Sequence, residues 1–138
     1  MTNKGLLLDT CTILYISNRD KLREDTQEAL KHAFNGSHAF ISTISALEIG
    51  QLSVRRRANV PVDPFKFFDG FSALSGVSLC ALSPEILLRS SFLPSWRHKD
   101  PVDRILVTTA LVYNLTLVTS DRAILAYGEL GHVKTLAC

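Results

Sequence analysis

Along this chain the apolar positions switch repeatedly between the short unbroken runs of buried strands and the three-to-four spacing of helices. Leu6-Leu7-Leu8 ends at Asp9, which predicts a buried parallel strand turning into a helix through Ile13, Leu14 and Ile16. A polar helix is expected over Arg23 to Phe34, ended by Asn35-Gly36. Phe40-Ile41-Ser42-Thr43-Ile44 reads as a second strand. Ser45 then reads as the N-cap of a helix carrying Leu47, Ile49 and Leu52, with Glu48 three residues on, the spacing of a capping box.

Beyond Arg55-Arg56-Arg57, the segment Pro61-Val62-Asp63-Pro64 predicts a loop into a helix from Phe65 to Leu74 that ends near Gly76. Val77 to Leu82 is strand-like, and Ser83-Pro84 is a cap followed by proline at the first helical position, opening a helix through Leu88. Pro94 to Lys99 reads as a loop. Asp100-Pro101 starts a helix to about Asn114, Leu117-Val118-Thr119 is a fourth strand, Ser120-Asp121 turns into a short helix, and Val133 to Leu136 is a candidate edge strand. Strands alternating with helices predict an α/β fold in three layers, a central parallel sheet of four to five strands with helices on both faces. With 138 residues, no low-complexity linker and no repeat, one domain over 1–138 is expected.

Composition narrows this picture only slightly. The hydrophobic share of 46% and the mean hydropathy of +0.16 leave some apolar surface for a partner to cover. Lys+Arg 15 against Asp+Glu 13 gives a net charge of +2, too weak a field to imply nucleic-acid binding without a local site. Cys11, Cys80 and Cys138 are odd in number, widely spaced and without a CxxC pair, which argues against a disulfide framework or a zinc site and for a reducing compartment. The start, Met1 to Gly5 followed by three leucines, lacks the apolar stretch of a signal peptide, and no run approaches the ~20 residues of a membrane span. A cytoplasmic protein with no membrane partner is the expectation.

The chemistry is carried by acids. In open parallel sheets the ligand sits beyond the carboxyl ends of the strands, and Asp9 and Asp121 directly follow apolar strands. Glu48 falls in the first helical turn after the second strand, and Asp103 in the first turn after Asp100-Pro101. Each has a structural explanation as well. Glu48 suits a capping box, Asp100 is the usual N-cap before proline, and Asp121 is placed to cap the next helix. Asp9 is different, because an acid buried behind an apolar strand is costly without a cation or donor. Four acids at equivalent topological positions exceed what capping requires. Clustered carboxylates raise one another's pKa, so a cation normally sits among them, and oxygen ligands without His or Cys suit Mg²⁺ or Mn²⁺. Such an ion at such a site fits phosphodiester hydrolysis.

These residues carry a family resemblance along nearly the whole chain. Leu6-Leu7-Leu8-Asp9-Thr10, Ile44-Ser45-Ala46-Leu47-Glu48-Ile49, His98-Lys99-Asp100-Pro101-Val102-Asp103-Arg104 and Val118-Thr119-Ser120-Asp121 resemble PIN-domain ribonucleases, most closely the VapC-type toxins of bacterial toxin–antitoxin pairs. The HxDPxDR segment followed by VTSD is the most specific part. The resemblance implies a PIN fold, Mg²⁺ or Mn²⁺ at the acidic cluster, RNA cleavage, a homodimer, and inhibition by a protein antitoxin lying in the active-site groove. It implies Asp9 and Asp103 as principal metal ligands, Glu48 as a metal ligand or water-orienting group, and Asp121 as completing the catalytic set. Thr119 and Ser120 would support the site by hydrogen bonding, with Asp100 beside it.

Candidate RNA contacts are Arg55, Arg56, Arg57, Arg97, Lys99, Arg104 and Arg122, weighed against a solvated basic face and, for Arg104, pairing with an acid. Trp96 is expected to pack on the domain surface, with base stacking as the rival role. His98 reads as a loop hydrogen-bonder. Other functions stay open: a housekeeping RNA-processing nuclease, or a PIN-like module that binds RNA or protein without cutting. A haloacid-dehalogenase type phosphatase is disfavoured, because the second acid it needs falls at Cys11.

Overall fold

The computed structural model describes residues 5–56 and 60–138. The readings that fall on residues 1–4 and on Arg57 therefore lie outside the described residues. The elements run β1 (Leu6–Leu8), α1 (Thr10–Ser17), α2 (Glu24–Asn35), β2 (Ala39–Ser42), α3 (Ile44–Val54), α4 (Pro64–Ser72), β3 (Val77–Cys80), α5 (Pro84–Arg89), a 3₁₀ turn (Ser90–Phe92), α6 (Pro101–Tyr113), β4 (Thr116–Thr119), α7 (Arg122–Glu129) and β5 (Thr135–Ala137).

The strands form one five-stranded sheet in the order β3-β2-β1-β4-β5, with every pairing parallel. Alternation along each strand supplies the two inner faces of the three layers. Leu7, Phe40 and Leu117, which are paired in register, turn to a core completed by Val102, Ile105 and Leu106 of α6 and Ile124 and Tyr127 of α7. Leu8, Ile41 and Val118 turn the other way, onto Ile13 of α1, Leu30 of α2 and Phe71 of α4. Leu7, Leu8, Leu117 and Val118 are wholly buried. Burial of each stabilises the fold by about 1.5–3 kcal/mol relative to exposure. This is why the first strand is an unbroken apolar run.

The order of strands reverses between β1 and β4. From β1 the chain moves outward through β2 to β3, then returns to build β4 and β5 on the other flank. Such a switch point leaves a crevice at the carboxyl ends of the two strands. Asp9 follows β1 there, and Ser120-Asp121 follows β4.

Several boundaries differ from expectation. The second strand ends at Ser42, two residues before Ile44, because Thr43 takes an αR conformation and Ile44 opens α3 with its side chain in the core. Ser45 is therefore not the N-cap. It is fully buried inside the first turn, and its hydroxyl accepts from Thr10 Oγ1 at 3.0 Å. The N-cap is Thr43, which makes no side-chain capping bond. The third strand stops at Cys80 rather than Leu82, and β5 starts at Thr135 rather than Val133, whose side chain belongs to the core. Asp63 caps α4 by accepting from Lys66 N at 3.1 Å, so that helix begins at Pro64 and ends at Ser72 rather than Leu74. Asp100 and Ser83 cap their helices as their X-Pro contexts predict, and Asn114 ends α6 in the left-handed region at φ 55°. Among the described residues no helix is long and apolar enough to cross a membrane.

Candidate active site

Asp9 anchors the site. It is only 5% exposed, and as the N-cap of α1 its Oδ1 accepts from Thr10 N at 2.7 Å. Its Oδ2 accepts from Thr119 Oγ1 at 2.6 Å. The same Thr119 oxygen accepts from Asp121 N at 2.9 Å, so one buried hydroxyl at the end of β4 ties two acids to one point. Asp121 caps α7, its Oδ1 accepting from Ile124 N at 3.0 Å. Asp100 caps α6 through Val102 N at 2.9 Å and stays exposed. Asp103, one turn into α6, is half-buried and is not a cap.

With Ser45 inside α3, Glu48 loses the capping role that its spacing suggests. Its Oε1 is buried without a hydrogen-bond partner. An unpartnered buried carboxylate oxygen is uncommon and marks a place where a donor or cation is missing. Thr10 lies beside it. Thr10 and Ser45, neither a candidate for the site from sequence, link the start of α1 to the start of α3. The one signal for Thr10 in the sequence is its place directly after Asp9.

The electrostatics show that the acids converge. Burial, then the adjacent Cys11 and more weakly Glu48, push the Asp9 carboxyl well above the usual carboxylate range, against the pull of the Thr119 and Thr10 hydrogen bonds. Burial also raises Glu48, helped by Asp100 and Asp121 and opposed by the Thr10 hydroxyl. Asp103 is pushed up to about 8, first by burial and then by the charges of Asp121, Asp100, Asp9 and Glu48. All four other acids thus act on Asp103. Among the described residues, however, no group of three or more Asp, Glu, His or Cys side chains stands ready, as placed, to hold a metal ion.

Ser120 faces elsewhere than expected. Its hydroxyl donates to Cys11 Sγ at 3.4 Å and is 3.2 Å from Tyr15 Oη. Arg97, Lys99 and Arg122 are exposed, Lys99 next to Asp100 and Arg122 next to Asp121 in the chain. Arg104 is half-buried and, rather than pairing with an acid, donates from Nη1 to the His98 carbonyl at 3.3 Å, leaving Nε without a partner. Arg55 and Arg56 are exposed at the C-terminal end of α3.

The PIN domain model matches residues 6–130, almost the full described span and every acid above. The chain belongs to the PIN-domain family. PIN domains are nucleases, and that class of activity follows for this chain. Three solved structures are similar in fold. A chain of VapBC2 from Rickettsia felis, bound to a DNA fragment from its promoter, gives a TM-score of 0.68 at 16% identity, covering 96% of this chain and 97% of the other. DNA-bound VapBC from Salmonella typhimurium gives 0.66 at 19% identity, covering 99% and 98%. FitAB bound to an IR36 DNA fragment gives 0.61 at 16% identity, covering 96% and 94%. No curated protein matches the chain in sequence.

Proposed function

We propose that this PIN domain, spanning residues 1–138 as a single unit, is a Mg²⁺- or Mn²⁺-dependent ribonuclease and the toxin of a toxin–antitoxin pair. The observation that carries the nuclease reading is that Asp9, Asp103 and Asp121 stand at the first turns of α1, α6 and α7, where burial and the four neighbouring acids raise the Asp103 carboxyl to about 8. A fold that brings such charges together gains from a cation at that point. The all-oxygen donor set and the unpartnered Glu48 Oε1 fit a hard divalent ion, although the carboxylates do not form a ready ligand shell. Asp9 and Asp103 would hold the metal, with Glu48 and Asp121 completing the charge around it. When bound, the ion supplies Lewis-acid polarisation of a phosphate and a more acidic water.

The protein's own groups do the positioning. Thr119 holds Asp9 Oδ2, and the first turns of α1, α6 and α7 hold Asp9, Asp100 and Asp121 through backbone N–H groups. Those bonds fix the oxygens before substrate arrives. Arg97, Lys99 and Arg122 are placed to neutralise flanking phosphates, which supplies the sequence-independent part of RNA affinity. Likeness to chains of VapBC and FitAB complexes supports a protein antitoxin as partner. Uncovered apolar side chains, including Leu47 and Val54 on α3 and Leu88 and Phe92 after β3, support that partner and a homodimer.

The test is direct. Purified protein freed of partners is expected to cleave single-stranded RNA with Mg²⁺ or Mn²⁺, to stop on addition of EDTA, and to recover when the metal is restored. Cleavage unaffected by EDTA would contradict the metal dependence, and no cleavage of RNA under any divalent ion would contradict the ribonuclease reading.

A further inference from the structure

Between the loop that leads to Asp100 and the helix that follows Asp121 lies a cleft of about 280 Å³. Its loop wall is Trp96, Arg97 and His98, and its helix wall is Ala123, Ala126 and Tyr127. His98 is two residues before Asp100 and Ala123 two after Asp121, so the chain itself places this cleft beside the acids.

Tyr127 builds the cleft. Its hydroxyl donates to the Pro94 carbonyl at 2.6 Å, which ties the loop down onto α7. Its ring meets Trp96 edge-on, with centroids 4.9 Å apart at 87°, and stacks on His132 at 4.4 Å and 21°. His98 meets Trp96 from another side at 5.2 Å and 69°. Ser95, held at φ 59°, turns the loop so that these rings stand together, a conformation disfavoured for a residue with a side chain. On the helix side two alanines leave the wall low, where longer side chains would fill the space. The Trp96 indole N–H is buried and has no acceptor. Arg97 lines the cleft from the loop, and Arg122 precedes the lining residue Ala123 at the start of α7; both are exposed, and neither forms an ion pair among the described residues.

We infer that this cleft receives one unpaired nucleobase of the RNA strand whose phosphate lies at the acid cluster. Aromatic walls, a low apolar floor and a cationic rim match a flat ring attached to a phosphodiester. The assignment rests on the ribonuclease reading, and it adds to that reading a base-recognition subsite with Trp96 as its wall.

Trp96 is the only tryptophan of the chain, so its emission reports this cleft alone. The experiment titrates a short single-stranded RNA, and an abasic strand of the same length and charge, into the full-length Asp9→Asn protein. The RNA is expected to change Trp96 emission saturably, and the abasic strand to bind about tenfold more weakly. Ala126→Leu in the same background, a change on an exposed helix position, is expected to remove the emission change while filter binding still shows RNA retained by the basic rim. Equal responses to RNA and abasic strand, or an unchanged response in Ala126→Leu, would overturn the subsite. Cleavage by wild type with a silent Trp96 would overturn the subsite and leave the nuclease reading standing. A base-dependent Trp96 response without cleavage would do the reverse.

Discussion

The two ends of the sheet differ in a way that cavity size does not reveal. At the end where strands begin and helices stop, Asn114, Thr116, Glu129, His132, Lys134 and Thr135 line a cavity of about 530 Å³. At the end where strands stop and helices begin, three of the acids accept backbone N–H groups at helix starts. Parallel strands followed by helices direct N–H groups, which favour negative charge, to that second end. The carboxylates are held there in fixed positions and made to repel one another. Volume records where the fold leaves space, whereas the acid end records where charge is gathered at a cost in stability.

Substitution should separate the two ends sharply. Asp9→Asn is expected to lower RNA cleavage by about 10³-fold or more while far-UV circular dichroism is unchanged, because a contribution of several kcal/mol to the transition state is lost. Lys134→Ala, in the larger cavity, should leave the cleavage rate within about twofold. Comparable losses from both would break the comparison. Next in size is Thr119→Val, which keeps the shape but removes the donor to Asp9 and the acceptor for Asp121 N. It should destabilise the fold by about 2–3 kcal/mol in urea unfolding, and a loss near zero would remove Thr119 as the link between the two acids.

A further effect concerns pH. Asp103 binds its proton more tightly in the folded chain, about 8, than at the ordinary 3.8. Between roughly pH 4 and pH 8 the folded state therefore carries a proton that the unfolded state has released. That contribution to stability is present at the acidic end and is lost as pH rises through the folded value. Metal-free protein should accordingly melt at lower temperature as pH is raised through this window, with Asp9 and Glu48 acting in the same direction. Asp103→Asn should flatten the slope, and an unchanged slope would show that Asp103 does not carry the repulsion.

How much of the acid end is legible in the amino-acid order depends on how local each cause is. Asp9 and Asp121 are legible because each falls within two residues of the end of a run that reads as a buried strand, and the parallel topology then fixes which end they occupy. The X-Pro starts of α5 and α6 are legible for a similarly local reason. Glu48 is ambiguous because Ser-x-x-Glu describes both a capping box and an acid one turn into a helix, and only the burial of Ser45 against Thr10 decides between them. Tyr127 gives no sequence signal at all. Its role depends on a hydrogen bond to Pro94, 33 residues away, and no local pattern encodes such a contact. The strand ends that fall two residues from their expected places lie where side chains such as Ile44 and Val133 enter the core from outside the ladder.

Mg²⁺-dependent melting of wild type and Asp103→Asn, measured side by side near neutral pH, tests the acid cluster most directly. Mutual repulsion relieved by a cation predicts that metal-free Asp103→Asn is at least as stable as wild type, since a carboxyl that must either hold a proton or repel its neighbours has been removed, and that Mg²⁺ raises the melting temperature of wild type but not of the variant. An equal Mg²⁺-induced rise in both proteins, or a fall of many degrees in the metal-free variant, would contradict it.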